Sequence, residues 1–210
     1  TDANTIALYH YNETSGKVID SSNNKNHSLK PHRIERTEGL WNTKAIKLCG
    51  EPIIIPSSKS LNSIKDKLTL ETWIYLKSPE CNDHKHKHNW KQLFSRKKNK
   101  PICKFCQLCW NKLFKDGSLI KRPGSFELEI NNTRKATFTL FTEKPNNNKP
   151  NNNHWQNIFS SHKTTIISTE EIELNKWTHV AATYDGTKIT IYIDGVKQTD
   201  EKQTQGNIKP

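Results

Sequence analysis

The sequence predicts an all-β protein, an antiparallel β-sandwich, on three observations. Leu68 to Tyr75 alternates apolar and polar residues with period two. Two Asp-Gly turns, Asp185-Gly186 and Asp194-Gly195, separate runs rich in β-branched and aromatic residues, a strong short-range hairpin signal. No stretch carries the 3.6-residue apolar spacing of an amphipathic helix. Hydrophobic residues make up 32% of the 210 and charged residues 26%, so part of the chain is expected outside any packed core. There is no apolar run of membrane-spanning length.

The elements follow in chain order. Ile6 to Tyr11 is apolar and aromatic, as an opening strand is. Ala45–Leu48 and Ile53–Ile55 are short apolar runs around Cys49-Gly50-Glu51-Pro52. In Leu68–Tyr75 the alternation puts Leu68, Leu70, Thr72 and Ile74 on one face and Thr69, Glu71, Trp73 and Tyr75 on the other. Phe126–Ile130 and Ala136–Phe141 pair across an Asn131-Asn132-Thr133 turn. Trp177–Tyr184 and Ile189–Ile193 pair across Asp185-Gly186-Thr187-Lys188. Many short strands with turn chemistry between them indicate a sandwich.

Two stretches interrupt the pattern. Residues 78–124 are basic and rich in Cys and His. They hold twelve Lys or Arg against three acids, and so carry +9 of the net charge of +12. Residues 143–162 include the low-complexity tract Asn146–Asn153, which cannot bury enough apolar surface to offset its ordering entropy. Both read as loop insertions in a single domain spanning 1–210. Because the positive charge sits in one segment, it describes that segment and not the fold, and a nucleic-acid partner is not expected.

The residues Leu174-Asn175-Lys176-Trp177-Thr178-His179-Val180-Ala181-Ala182-Thr183-Tyr184-Asp185-Gly186, followed by Ile191-Tyr192-Ile193-Asp194-Gly195, resemble the signature hairpin of laminin-G-like jelly rolls of the concanavalin A-like class. Leu70-Glu71-Thr72-Trp73-Ile74-Tyr75 is similar to the same family's central strand. Ala7–Glu13 and Asp20–His27 are similar to its opening strand and first loop. The resemblance covers about residues 5–77 and 125–198, leaving both insertions unmatched. It implies a lectin-like or adhesion module with Trp73, Trp177 and Tyr184 as its core signature, Trp177 and Tyr184 filling the space between the sheets. Asn23 stands where the family has Gly, and Asn tolerates the left-handed turn. Family members continue beyond the second Asp-Gly turn with further strands. This sequence reaches Pro210 soon after it, so the resemblance implies that closing strands come from a following segment or a partner.

Several residues are candidates for chemistry. Glu13 and Asp20 could hold Ca²⁺ at a loop edge, as in many sandwiches of this class, or Asp20 could simply order its own turn. Cys81, Cys103, Cys106 and Cys109, beside His84, His86 and His88, fit zinc in a reducing compartment or two disulfides in an oxidising one. The resemblance and the sequons at Asn12, Asn26 and Asn131 favour the secretory pathway, glycosylation and disulfides, with zinc the lesser alternative. Cys49 is the fifth, odd cysteine.

Lys97, Lys98, Lys100 and Lys104, interleaved with aromatics such as Trp110, could bind an acidic polysaccharide or another polyanion. Glu127 and Glu129 share a strand face, but the carboxylate spacing of sandwich glycosidases is missing and an enzyme is not expected. Thr1-Asp2-Ala3-Asn4 is not a signal peptide, so the chain reads as starting inside a larger protein or after a removed signal. The functional expectation is a non-catalytic module at the cell surface or outside the cell, recognising glycans or proteins. The alternatives are a structural domain packed on its neighbours and a basic insert that binds polyanions.

Overall fold

The structure, a computed structural model, describes residues 2–30, 34–47, 52–78, 117–143, 161–198 and 201–210. Two antiparallel sheets pack face to face. The first has the order β10-β9-β8-β3, with β3 at Leu68–Tyr75, β8 at Trp177–Tyr184, β9 at Lys188–Ile193 and β10 at Val196–Lys197. A further strand, β11 (Lys202–Gln203), follows β10 along the same edge of β9. The second sheet has the order β4-β5-β6-β7, formed by Ser118–Arg122, Phe126–Ile130, Ala136–Glu143 and Ser161–Ile167. A separate hairpin, β1 (Glu35–Glu38) and β2 (Lys44–Lys47), turns through Leu40–Asn42. One helical turn, α1 (Lys59–Asn62), leads towards β3, and its N-cap Ser58 accepts from the backbone N–H of Leu61 at 3.1 Å.

Period-two alternation builds the core. Leu68, Leu70 and Ile74 of β3, Val180, Ala182 and Tyr184 of β8, and Ile189, Ile191 and Ile193 of β9 face inward. They meet Phe126, Leu128 and Ile130 of β5, Ala136, Phe138 and Leu140 of β6, and Ile166 of β7. Each large apolar side chain buried here contributes about 1.5–3 kcal/mol.

Strand β4 lies within the stretch expected as an insertion. Its pairing with β5 and the contact of Leu119 and Ile120 with the core account for it, while Lys121 points out to Glu127. Arg122 donates to Leu61 O and Asn62 Oδ1 at 2.6 and 2.7 Å, joining β4 to the lead-in of β3. Ser161 and His162, expected in the Asn-rich loop, begin β7.

The residues after the second Asp-Gly turn do more than trail from β9. Beyond β11, Gly206 to Lys209 runs alongside the end of β6 through Glu143 N–H to Asn207 O at 2.8 Å and Lys209 N–H to Phe141 O at 2.9 Å. Ile208 is buried in the core, and its N–H bonds Lys65 O near the start of β3. The tail thus links both sheets.

Candidate functional site

The outward residues of the first sheet form an aromatic face. Register places Trp73 opposite His179 and Tyr75 opposite Trp177, with Glu71 opposite Ala181 and Ala181 opposite Tyr192. Successive rows on one face lie about 7 Å apart, two residues along the strand. The Trp73 and His179 rings are 5.1 Å apart and inclined at 47°; those of Tyr75 and Trp177 are 5.5 Å apart at 57°. Trp41, at the tip of the β1–β2 hairpin, meets the Trp73 ring edge-on at 5.3 Å. Trp41 has φ 54° and Asn42 φ 60°, a left-handed pair that turns the indole towards the sheet. Trp41 is 75% exposed, and Trp73 and Tyr75 are each 43% exposed. The three side chains form a cluster of exposed aromatic surface on one side of the sheet.

The resemblance implied Trp177 between the sheets and Trp73 in the core signature, and this is corrected. Tyr184 alone of the three is a core residue, 2% exposed. Trp177 and Tyr184 are seven residues apart on one continuous strand, an odd separation that sends them to opposite faces. Trp73 likewise alternates with Leu70 and Ile74. That parity was available in the sequence and identifies the aromatic face.

Polar groups flank the rings. His179 Nε2 lies 3.6 Å from Glu71 Oε2. The backbone N–H of His179 donates to Asp194 Oδ1 at 2.8 Å, and Lys176 Nζ is 3.8 Å from Asp194 Oδ2. The other outward positions of β3, β8 and β9 hold Thr69, Ala181, Thr183, Lys188, Thr190 and Tyr192, of which Ala181 and Thr190 are buried. The three strands present no Val, Leu or Ile on this side. The surface therefore offers flat rings together with hydrogen-bonding groups.

Asp20 orders the first loop. Its Oδ1 accepts from the N–H groups of Leu8 and Ser22, both at 2.8 Å, and its Oδ2 from the Ser22 hydroxyl and Asn26 N–H, both at 2.7 Å. Burial disfavours its charge, but these donors outweigh burial and hold its carboxyl below the usual aspartate range. With four hydrogens directed at its oxygens, Asp20 has the coordination of a turn organiser. Glu13 instead accepts from Ile19 N–H at 2.8 Å. The second Glu13 oxygen, Oε2, is buried without a hydrogen-bond partner, and among the described residues no group of three or more His, Cys, Asp or Glu is placed to hold a metal ion.

Asn26 is corrected as a glycan acceptor. It is 5% exposed, and its amide donates to Ile6 O at 2.8 Å and Ser60 Oγ at 3.1 Å. Asn12 is exposed, its Oδ1 accepting from Lys44 N–H at 3.2 Å. Asn131 Oδ1 caps the β5–β6 turn by accepting from the N–H groups of Thr133 and Lys135 at 2.9 and 3.0 Å. Cys49, Cys81, Cys103, Cys106, Cys109, Lys97, Lys98, Lys100, Lys104 and Trp110 lie outside the described residues.

On the outer face of the second sheet, Glu127 pairs with Lys121 at 2.8 Å and accepts from the Ser118 hydroxyl at 2.6 Å. Burial opposes its ionisation, but these two partners prevail and hold its carboxyl below the ordinary value. Glu129 is pushed up, first by burial and then by the charge of Glu127.

No curated protein matches the sequence. Among solved structures, the chain is similar to the binding domain of Paraclostridial Mosquitocidal Protein 1, with a TM-score of 0.60 and 15% identity. The similarity covers 99% of this chain and 43% of that one, so this chain spans less than half of its neighbour's length. Residues 50–210 match the Laminin_G_3 family, and on that match, together with the two-sheet architecture, the chain belongs to the concanavalin A-like lectin/glucanases superfamily.

Proposed function

We propose that this chain is a non-catalytic binding module of a larger secreted or surface protein, and that it recognises a glycan through its outer aromatic face. The observation that carries this reading is the exposed set Trp41, Trp73 and Tyr75 beside Trp177 and His179. A sugar presents C–H groups on its ring face and hydroxyls around its rim. Indole and phenol rings suit the first, and Glu71, Lys176, Asp194, Thr69 and Thr183 suit the second. The family's lectin members and a structural neighbour described as a binding domain accord with the reading.

The test is a glycan array probed with the whole chain at neutral pH. Retention of a defined glycan class is the expected result. Retention of none, with capture of a protein ligand that survives glycosidase treatment, would replace the glycan with a protein partner.

A further inference from the structure

Glu71 and His179 stand in neighbouring rows of the β3–β8 ladder. Their 3.6 Å separation is longer than a charge-assisted hydrogen bond, which spans about 2.7–2.9 Å, and a small side-chain rotation closes the gap. The imidazole also lies against the Trp73 ring. We propose that His179 is a proton-dependent gate on the aromatic face. Neutral, it leaves the Glu71 carboxylate free to accept from a ligand hydroxyl. Protonated, it draws Glu71 into an ion pair and sets a cation against Trp73. The ligand then loses an acceptor, so this face binds more weakly as the medium acidifies.

The inference rests on the reading of this face as the ligand site. Histidine is the side chain whose ordinary titration falls between about pH 5 and 8, which makes such a gate physiologically accessible. The charged groups facing His179 among the described residues are Glu71 from β3 and Asp194 from the β9–β10 turn, with Lys176 behind Asp194. Asp194 is already engaged by the His179 backbone N–H and by Lys176, and Lys176 is also 3.7 Å from Glu173. Glu71 therefore answers the proton. The β1–β2 hairpin contributes the Trp41 ring, set edge-on against Trp73.

The gate is testable without a ligand. The imidazole of His179 is titrated by NMR in the native chain and in Glu71→Gln. The proposal expects the midpoint to fall in the variant, because the facing negative charge is gone. In parallel, the 5-fluorotryptophan resonance of Trp73, assigned through Trp73→Phe, is followed from pH 7.5 to 5.5. It should move with the His179 midpoint in the native chain and stay fixed in His179→Gln. An unchanged midpoint in Glu71→Gln, or a Trp73 resonance indifferent to His179, overturns the gate. A face that shows both couplings yet retains no glycan at any pH sinks the binding reading, and the couplings then stand with no ligand to gate.

Discussion

The Tyr184 hydroxyl donates to the Gly206 carbonyl at 2.7 Å, with Gly186 O a second acceptor at 3.0 Å. One hydrogen thus ties the β8–β9 turn to the terminal segment that crosses both sheets. Burial, and then the charge of Asp185, push the Tyr184 hydroxyl up, so it remains a donor at neutral pH. Tyr184→Phe keeps the ring in the core and removes this tie. The expected loss is about 1–2 kcal/mol, read by urea denaturation, with the melting of the terminal segment visible in amide exchange. An unchanged midpoint would show that the tail is held without Tyr184.

Gly206 supplies the other half of that junction. Its φ is +106°, and a Cβ there would lie 2.4 Å from Glu143 O. Gly195 also has positive φ, at +80°, but opens onto free space. Gly206→Ala should therefore cost more than Gly195→Ala, which carries only the left-handed penalty of about 1–2 kcal/mol. Equal losses in thermal denaturation would place the constraint in φ alone and not in the close approach.

Asp20→Asn tests the loop organiser. The variant keeps the shape but loses the charge that four donors address, at a cost of about 2–3 kcal/mol near neutral pH. The sign with pH follows from the lowered folded-state value. The contribution of Asp20 is complete above the ordinary aspartate value and is lost as the pH falls through the lower value of the folded chain. Urea midpoints at neutral and acid pH should converge for the native chain and the variant. A gap of constant size would show that the charge of Asp20 is not what the loop uses.

Trp41→Ala separates binding from folding. With three quarters of its surface exposed and one edge-on ring contact, Trp41 should contribute less than about 1 kcal/mol to stability. Glycan affinity should fall all the same. A large stability loss would make the indole a structural prop for the hairpin.

Much of the fold was legible because period-two alternation is a local signal. β3, the β5–β6 pair and the β8–β9 hairpin all appear where their alternation and turns put them. β4 was obscured because Lys121 and Arg122 read as part of a basic segment, although both are tethered, one to Glu127 and the other to Leu61 and Asn62. The closing role of Gly206–Lys209 depends on contacts with β6 and Lys65 that lie far away in sequence. The aromatic face was the instructive case. Burial preference pointed Trp177 inward, while its seven-residue offset from Tyr184 pointed it outward, and strand geometry prevailed over residue type.

The aromatic face is tested most directly by calorimetric titration of the glycan retained on the array into the native chain and into Trp73→Ala/Tyr75→Ala, with circular dichroism confirming that both are folded. Both side chains are 43% exposed, so the fold should survive. The account predicts a loss of affinity of about tenfold or more, on the scale of one lost stacking contact at 1–3 kcal/mol. Undiminished affinity in the folded double variant would contradict it.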